Sequence, residues 1–128
     1  MSKTSINGRL AMIKAFAEFM DNGSQSATVT FYEGVQPASP AITADPDNAL
    51  VTLTFPEPCI KEATPTYVEL HPTDTANVIK SGTASWARIY NGTSEVAADL
   101  TVGTDISLAN TNLALGGTLF IQSINLRP

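Results

Sequence analysis

Few side chains in the chain are equipped for chemistry. His71 is the only histidine, so a Ser-His-Asp arrangement would have to be built on it. It stands in Leu70-His71-Pro72 at the end of an expected strand, and no Gly-x-Ser-x-Gly elbow occurs to present a nucleophile. An exposed turn residue is the expectation. Cys59, in Glu57-Pro58-Cys59-Ile60, is the only cysteine. It excludes an intrachain disulfide and a Cys-based metal cluster, and it reads as a small buried hydrophobe rather than a reactive thiol.

The carboxylates offer two patterns. Asp45-Pro46-Asp47-Asn48 resembles part of a calcium loop but lacks the later Gly and the bidentate Glu of an EF-hand. A turn capped by its own Asx side chains is the simpler expectation. Glu57 with Glu62, and Asp99 with Asp105, flank strand ends, but spacing along the chain does not make them a glycosidase pair. The glycines are scattered as turn residues and form no phosphate-cradling loop. The expectation is a chain with no catalytic residues, no metal and no cofactor. Trp86, Arg88 and Tyr90 fall on one face of one strand, where they could stack on a sugar, pack inside, or form a partly exposed contact face. Arg88 makes that face more than a simple apolar stripe.

These residues must be positioned by a chain of 128 residues, the length of one domain. Its hydrophobic content argues against extended disorder. Charged residues make up 15%, well below the usual ~25%, and sixteen threonines help fill the gap. β-Branched hydroxyl side chains suit half-buried strand faces. The net charge of −5 argues against a nucleic-acid binder, which would carry a basic face. The start of the chain lacks the pattern of a signal peptide, its apolar stretch being broken by Lys14 and Glu18. No apolar run reaches the ~18 residues of a membrane helix, so the expectation is a soluble protein made in a reducing cytoplasm. Charge is also polarised. Residues 1–14 hold Lys3, Arg9 and Lys14 and no acid, whereas residues 15–60 hold six acids and no base.

One helix is expected, over residues 5–22. At about 100° per residue, Leu10, Met12, Ile13, Phe16, Ala17, Phe19 and Met20 share an arc that Lys14, Glu18 and Asp21 face away from. Asp21-Asn22-Gly23 ends it, because Gly accepts the left-handed position after a helix. Either its own β-domain or a neighbouring subunit takes up this face, with Arg9, Lys14 and Phe16 as candidate interface residues.

Residues 24–128 read as strands and turns forming an antiparallel β-sandwich of about seven strands. The segments are Ala27–Tyr32, Leu50–Phe55, Thr66–Leu70, Asn77–Lys80, Thr83–Tyr90, Ser94–Val102 and Thr118–Leu126, with 34–48 a Pro-rich loop. No second helix is available for a parallel crossover. Asn22-Gly23-Ser24 and Asn91-Gly92-Thr93 have the form of glycosylation sequons, and the expected role of both is as turns. At Asn91-Gly92, a two-residue hairpin loop would set Arg88 opposite Glu95, whereas a bulged three-residue loop would shift the pairing.

Four segments resemble small virion structural proteins of tailed bacteriophages, of the capsid decoration or cement kind: Phe31–Ala38, Gly82–Tyr90, Val102–Leu108 and Gly116–Ile121. The order of elements, from an N-terminal helix through the Tyr-x-Gly-x-x-Pro strand exit to the Trp-x-Arg strand, carries the resemblance from Leu10 onward. It implies a non-enzymatic structural role and transfers no catalytic residue. The expected partners are a major capsid protein or other virion proteins, with further copies of the chain in a homo-oligomer, and neither nucleic acid nor membrane. The expected location is the virion, after assembly in the host cytoplasm. A place in the tail or head–tail connection is one alternative. A host-surface carbohydrate- or receptor-binding sandwich using Trp86, Arg88 and Tyr90 is the other.

Overall fold

The computed structural model describes residues 15, 16, 18–20, 25–56, 60–63, 67–103, 105, 106, 108, 111–121 and 124–126. The strands are β1 Thr28–Tyr32, β2 Ala49–Thr54, β3 Ile60–Ala63, β4 Val68–Leu70, β5 Ala76–Asn77, β6 Gly82–Thr83, β7 Trp86–Tyr90, β8 Val96–Thr101, β9 Asn112–Leu113, β10 Thr118–Leu119 and β11 Ile124–Leu126. A 3-10 turn, Pro46–Asn48, leads into β2. All the ladders between these strands are antiparallel, so the chain is mainly β.

The largest sheet has four strands in the order β2-β1-β7-β8. Its registers carry the alternation of the sequence across the sheet. Val29 lies opposite Leu53 and Ile89, and Phe31 opposite Val51 and Ala87, while Ala87 in turn faces Leu100. These side chains share one face because the strand period is two. They are buried together with Met20, Ala27, Leu50, Phe55, Leu70, Val78, Ala84, Ile106 and Ile121. Smaller sheets, β11-β4-β3, β10-β5 and β6-β9, meet the same core through Leu70, Ala76, Leu119 and Leu113.

Several expected strands are shorter or divided. Thr83–Tyr90 becomes β6 and β7, because the amides of Ala84 and Ser85 bond to Thr111 and to Tyr32 on two different partners. Thr118–Leu126 likewise divides into β10 and β11, and the segment over 77–80 is reduced to β5 at Ala76–Asn77. Strands β3 and β9 show no usable alternation and were not anticipated. At the N-terminal side, Ala15, Phe16, Glu18, Phe19 and Met20 have helical backbone. Met20 is buried and Phe16 packs at the edge of the core. The remainder of the helix expected over 5–22, including Arg9, Lys14 and the Asn22-Gly23 stop, lies outside the described residues, as do Glu57 and Cys59.

The hairpin between β7 and β8 takes the bulged form. Ser94 N–H donates to the Asn91 carbonyl at 3.0 Å and Asn91 N–H to the Glu95 carbonyl at 2.9 Å, with Ser94 at φ 66°. This is a three-residue loop ending in a left-handed residue. A further shift between Ile89 and Tyr90 brings Arg88 opposite Asp99. The two-residue alternative, with Glu95 as the partner of Arg88, is thereby excluded.

Candidate functional site

The second face of the four-stranded sheet carries polar and aromatic side chains in rows. Thr52, Thr30, Arg88 and Asp99 form one row, and Tyr32, Trp86 and Thr101 the next. An open sheet face of this composition would be wet. Here the two central strands are buried on both faces: Thr30, Tyr32, Trp86 and Arg88 are buried along with their inward neighbours. The cover is the Pro-rich loop, residues 33–48, which folds back across this face.

Each fastening of the loop has a named partner. Arg88 Nη1 donates to the Ile42 carbonyl at 2.7 Å. Thr101 Oγ1 donates to Gln36 Oε1 at 2.7 Å, and Ser85 Oγ donates to the Gly34 carbonyl. At the far end Lys80 Nζ reaches both Glu33 Oε1 at 3.0 Å and the Asp47 carbonyl at 2.7 Å. Ala44 is buried against Tyr32 and Trp86. Gly34 turns the loop away from β1 at φ 87°, a left-handed conformation that costs Gly little. Asp45 Oδ1 caps the 3-10 turn by accepting from Asp47 N–H at 3.0 Å.

Beneath the loop, Arg88 and Asp99 form a bidentate pair, Nε to Oδ1 at 2.7 Å and Nη2 to Oδ2 at 3.0 Å. Their side chains are only 2% and 5% exposed. The hydrogen bond to Asp99 raises the Arg88 pKa above its already high ordinary value, while burial works in the opposite direction. The Tyr32 ring stacks on Trp86 with centroids 4.5 Å apart and planes 15° from parallel, and the Arg88 Cζ lies 5.3 Å from the Trp86 ring centroid. Tyr32 and Tyr90 share a hydroxyl–hydroxyl hydrogen bond of 2.9 Å. Burial pushes the Tyr32 phenol well above the usual tyrosine range, helped by that bond. Trp86 Nε1 is buried without a hydrogen-bond partner among the described residues.

Of the alternatives open for the Trp86, Arg88 and Tyr90 face, packing inside holds for Trp86 and Arg88. Only Tyr90 keeps partial exposure; Trp86 and Arg88 are inside. Periodicity along β7 showed one face but not the distant loop that closes over it. One face of Trp86 is occupied by Tyr32 and the Arg88 fork by Asp99, so the cluster offers no free stacking platform. Chemically it is a fastener: a charge pair fully engaged, two phenols bonded to each other, and no paired nucleophile and base.

The other candidates are dispersed. His71 is half-buried just past β4 and makes no hydrogen bond among the described residues. Asp105 Oδ2 accepts from Thr101 N–H at 2.8 Å, so Asp99 and Asp105 serve different partners. Glu62 is exposed on β3, beside a Lys61–Glu69 contact of 3.6 Å. No group of three or more His, Cys, Asp or Glu gathers as a metal site among the described residues. None of the helical segments among them is long and apolar enough to cross a membrane. Asn91 is buried, and its Oδ1 accepts from Thr93 N–H at 3.0 Å, Thr93 Oγ1 at 2.8 Å and Glu95 N–H at 2.9 Å. Its Nδ2, the atom a glycan would occupy, is buried. In the folded chain Asn91-Gly92-Thr93 therefore acts as a turn.

Outward, the covering loop presents large apolar groups. Val35 is 93% exposed and Ile42 48%, with Asp45 and Asp47 exposed beside them in sequence. Neither residue was singled out by sequence reasoning, because an apolar residue in a loop carries no periodic signal. Compared with protein-family models, with curated proteins and with solved structures, the chain has no significant match to any of them.

Proposed function

We propose that the chain is a non-enzymatic structural protein of a tailed-bacteriophage virion. In this reading it is a capsid decoration protein that binds the outer shell in many copies, as a homo-oligomer, and uses loop 33–48 as its contact element. The observation that carries this reading is the fastened loop, in which buried side chains hold the backbone from below while Val35 and Ile42 project outward. A preset loop loses little freedom on docking, so more of its contact energy is expressed as affinity. The larger core cluster, to which all four sheets contribute among the described residues, favours reading them as the layers of one sandwich. Such a body fits a rigid surface module, and binding only the assembled shell would stabilise that shell by mass action. Trp86 buried against Tyr32 weighs against the carbohydrate-binding alternative.

Purified virions separated into heads and tails test the proposal by quantitative mass spectrometry. Many copies per head are expected. A handful of copies, or recovery in the tail fraction alone, overturns the decoration role. Val35→Asp should lower head occupancy while leaving the thermal unfolding midpoint in place, because the side chain it replaces touches little of its own chain.

A further inference from the structure

Loop 33–48 is held to the sheet in an unusual way. Between Gly34 and Ala44 the backbone–backbone hydrogen bond present is local, Ile42 N–H to the Ser39 carbonyl at 3.1 Å, and no ladder joins this stretch to a strand. What holds it are side chains reaching up from β7, β8 and the segments beside them. Both of its ends are fixed corners, Gly34 at φ 87° and the capped turn at Pro46–Asn48. Its largest apolar side chains, Val35 and Ile42, face solvent, and the residue it lays on the aromatic pair is Ala44. The indole N–H of Trp86, the residue Ala44 packs against, is buried without an acceptor among the described residues, although buried indole donors usually find one.

We propose that residues 35–44 form a strap that opens as a unit about Gly34 and the Asp45–Asn48 turn, with the four-stranded sheet intact, and that the Arg88–Ile42 hydrogen bond is its latch. Segments with few buried apolar contacts and few ladder bonds open locally at free energies well below that of global unfolding. Opening breaks the Arg88 bond to Ile42 and the Thr101 bond to Gln36. It leaves the Arg88–Asp99 pair whole, because that pair lies entirely between β7 and β8. The opened form uncovers Trp86 with its unsatisfied N–H and frees one guanidinium N–H. The inference concerns the same loop as the virion role, but its test reads the isolated chain and so stands or falls without it.

The test uses the intact chain. Trp86 is the only tryptophan, so its quenching by acrylamide reports directly on the cover. Native-state hydrogen exchange at increasing urea compares the Ile42 amide with the ladder amides of β1 and β7. Expected in the wild type is an Ile42 amide that exchanges faster and with a shallower urea dependence than the ladder amides. Arg88→Lys keeps a positive charge facing Asp99 and loses the fork that spans Asp99 and Ile42. It should raise Ile42 exchange and Trp86 quenching about tenfold, the effect of losing one charge-assisted hydrogen bond. If Arg88→Lys weakens the whole sheet, Thr101→Val removes the Gln36 bond alone and should raise the same two signals by a smaller factor. Identical urea dependence for the strap and ladder amides in the wild type overturns the proposal, because strap and sheet would then be one cooperative unit. So does Ile42 exchange unchanged in both variants.

Discussion

Removing Asp99 is the sharpest test of how the sheet is held on its second face. Asp99→Ala leaves the Arg88 guanidinium with the Ile42 carbonyl as its remaining polar partner, in a site where the side chain is 2% exposed. An unpaired buried charge of this kind costs about 3–5 kcal/mol, a large part of the roughly 5–15 kcal/mol that keeps a domain folded. Arg88→Ala leaves the opposite orphan, a carboxylate 5% exposed, and removes the latch as well. The double replacement Arg88→Ala with Asp99→Ala strands neither charge, so it should cost well below the sum of the two single losses. The double-mutant cycle should therefore give a coupling of about 3 kcal/mol or more. Urea unfolding followed by far-UV circular dichroism measures all four proteins, with Trp86 fluorescence as a second probe. The reasoning fails if Asp99→Ala costs less than about 1 kcal/mol, the value of a solvent-exposed pair. It fails equally if the two single losses simply add in the double variant.

Three further outcomes follow from the same geometry. The Tyr32 phenol ionises at higher pH in the folded chain than in the unfolded one. Its contribution is therefore complete below about pH 10 and declines above it by about 1.4 kcal/mol per pH unit; urea midpoints measured across that range should show the decline, and Tyr32→Phe should flatten it. Asn91→Ala removes one oxygen that accepts three hydrogen bonds and should cost about 1–3 kcal/mol, whereas a change within error would mean that the backbone alone holds the turn. Gly82→Ala sets a β-carbon where the Glu33 carboxylate now lies and 3.0 Å from Leu50 Cδ2. It should displace Glu33 from Lys80 at a cost of about 1 kcal/mol or less, because the group that must move is the far end of a flexible, partly exposed side chain; a loss above about 3 kcal/mol in urea unfolding would mean that Leu50 cannot give way.

The sheet that carries the site was readable where local alternation and global burial agree. Val29 and Phe31, and Val51, Leu53 and Phe55, alternate with threonines in the sequence and are buried in the structure. Loop 34–48 announced itself through Pro37, Pro40 and Pro46, and Asn91-Gly92 announced the hairpin. The partner of Arg88 was not readable. It depends on a loop that begins one residue later and is one residue longer, which moves the partner of Arg88 from Glu95 to Ala98, and on the extra residue in β8, which moves it on to Asp99. The burial of Trp86 and Arg88 was hidden for a different reason: it is produced by a loop some 45 residues earlier, as the 46-residue separation of Arg88 and Ile42 shows. The two-residue strands are ordered by their neighbours rather than by propensity, and so left little trace in the pattern.

The fastening of the loop also bears on how its sequence can vary. Three of its anchors, from Arg88, Ser85 and Lys80, grip main-chain carbonyls at Ile42, Gly34 and Asp47. A carbonyl is present whatever side chain the residue bears. Residues 35, 38, 41, 42 and 43, all exposed, can therefore be exchanged without disturbing those grips, provided the backbone path is kept. Such a loop is open to grafting: a library at those five positions should yield proteins of unchanged stability with altered surfaces, while the same changes at Arg88 or Asp99 should lower the unfolding midpoint.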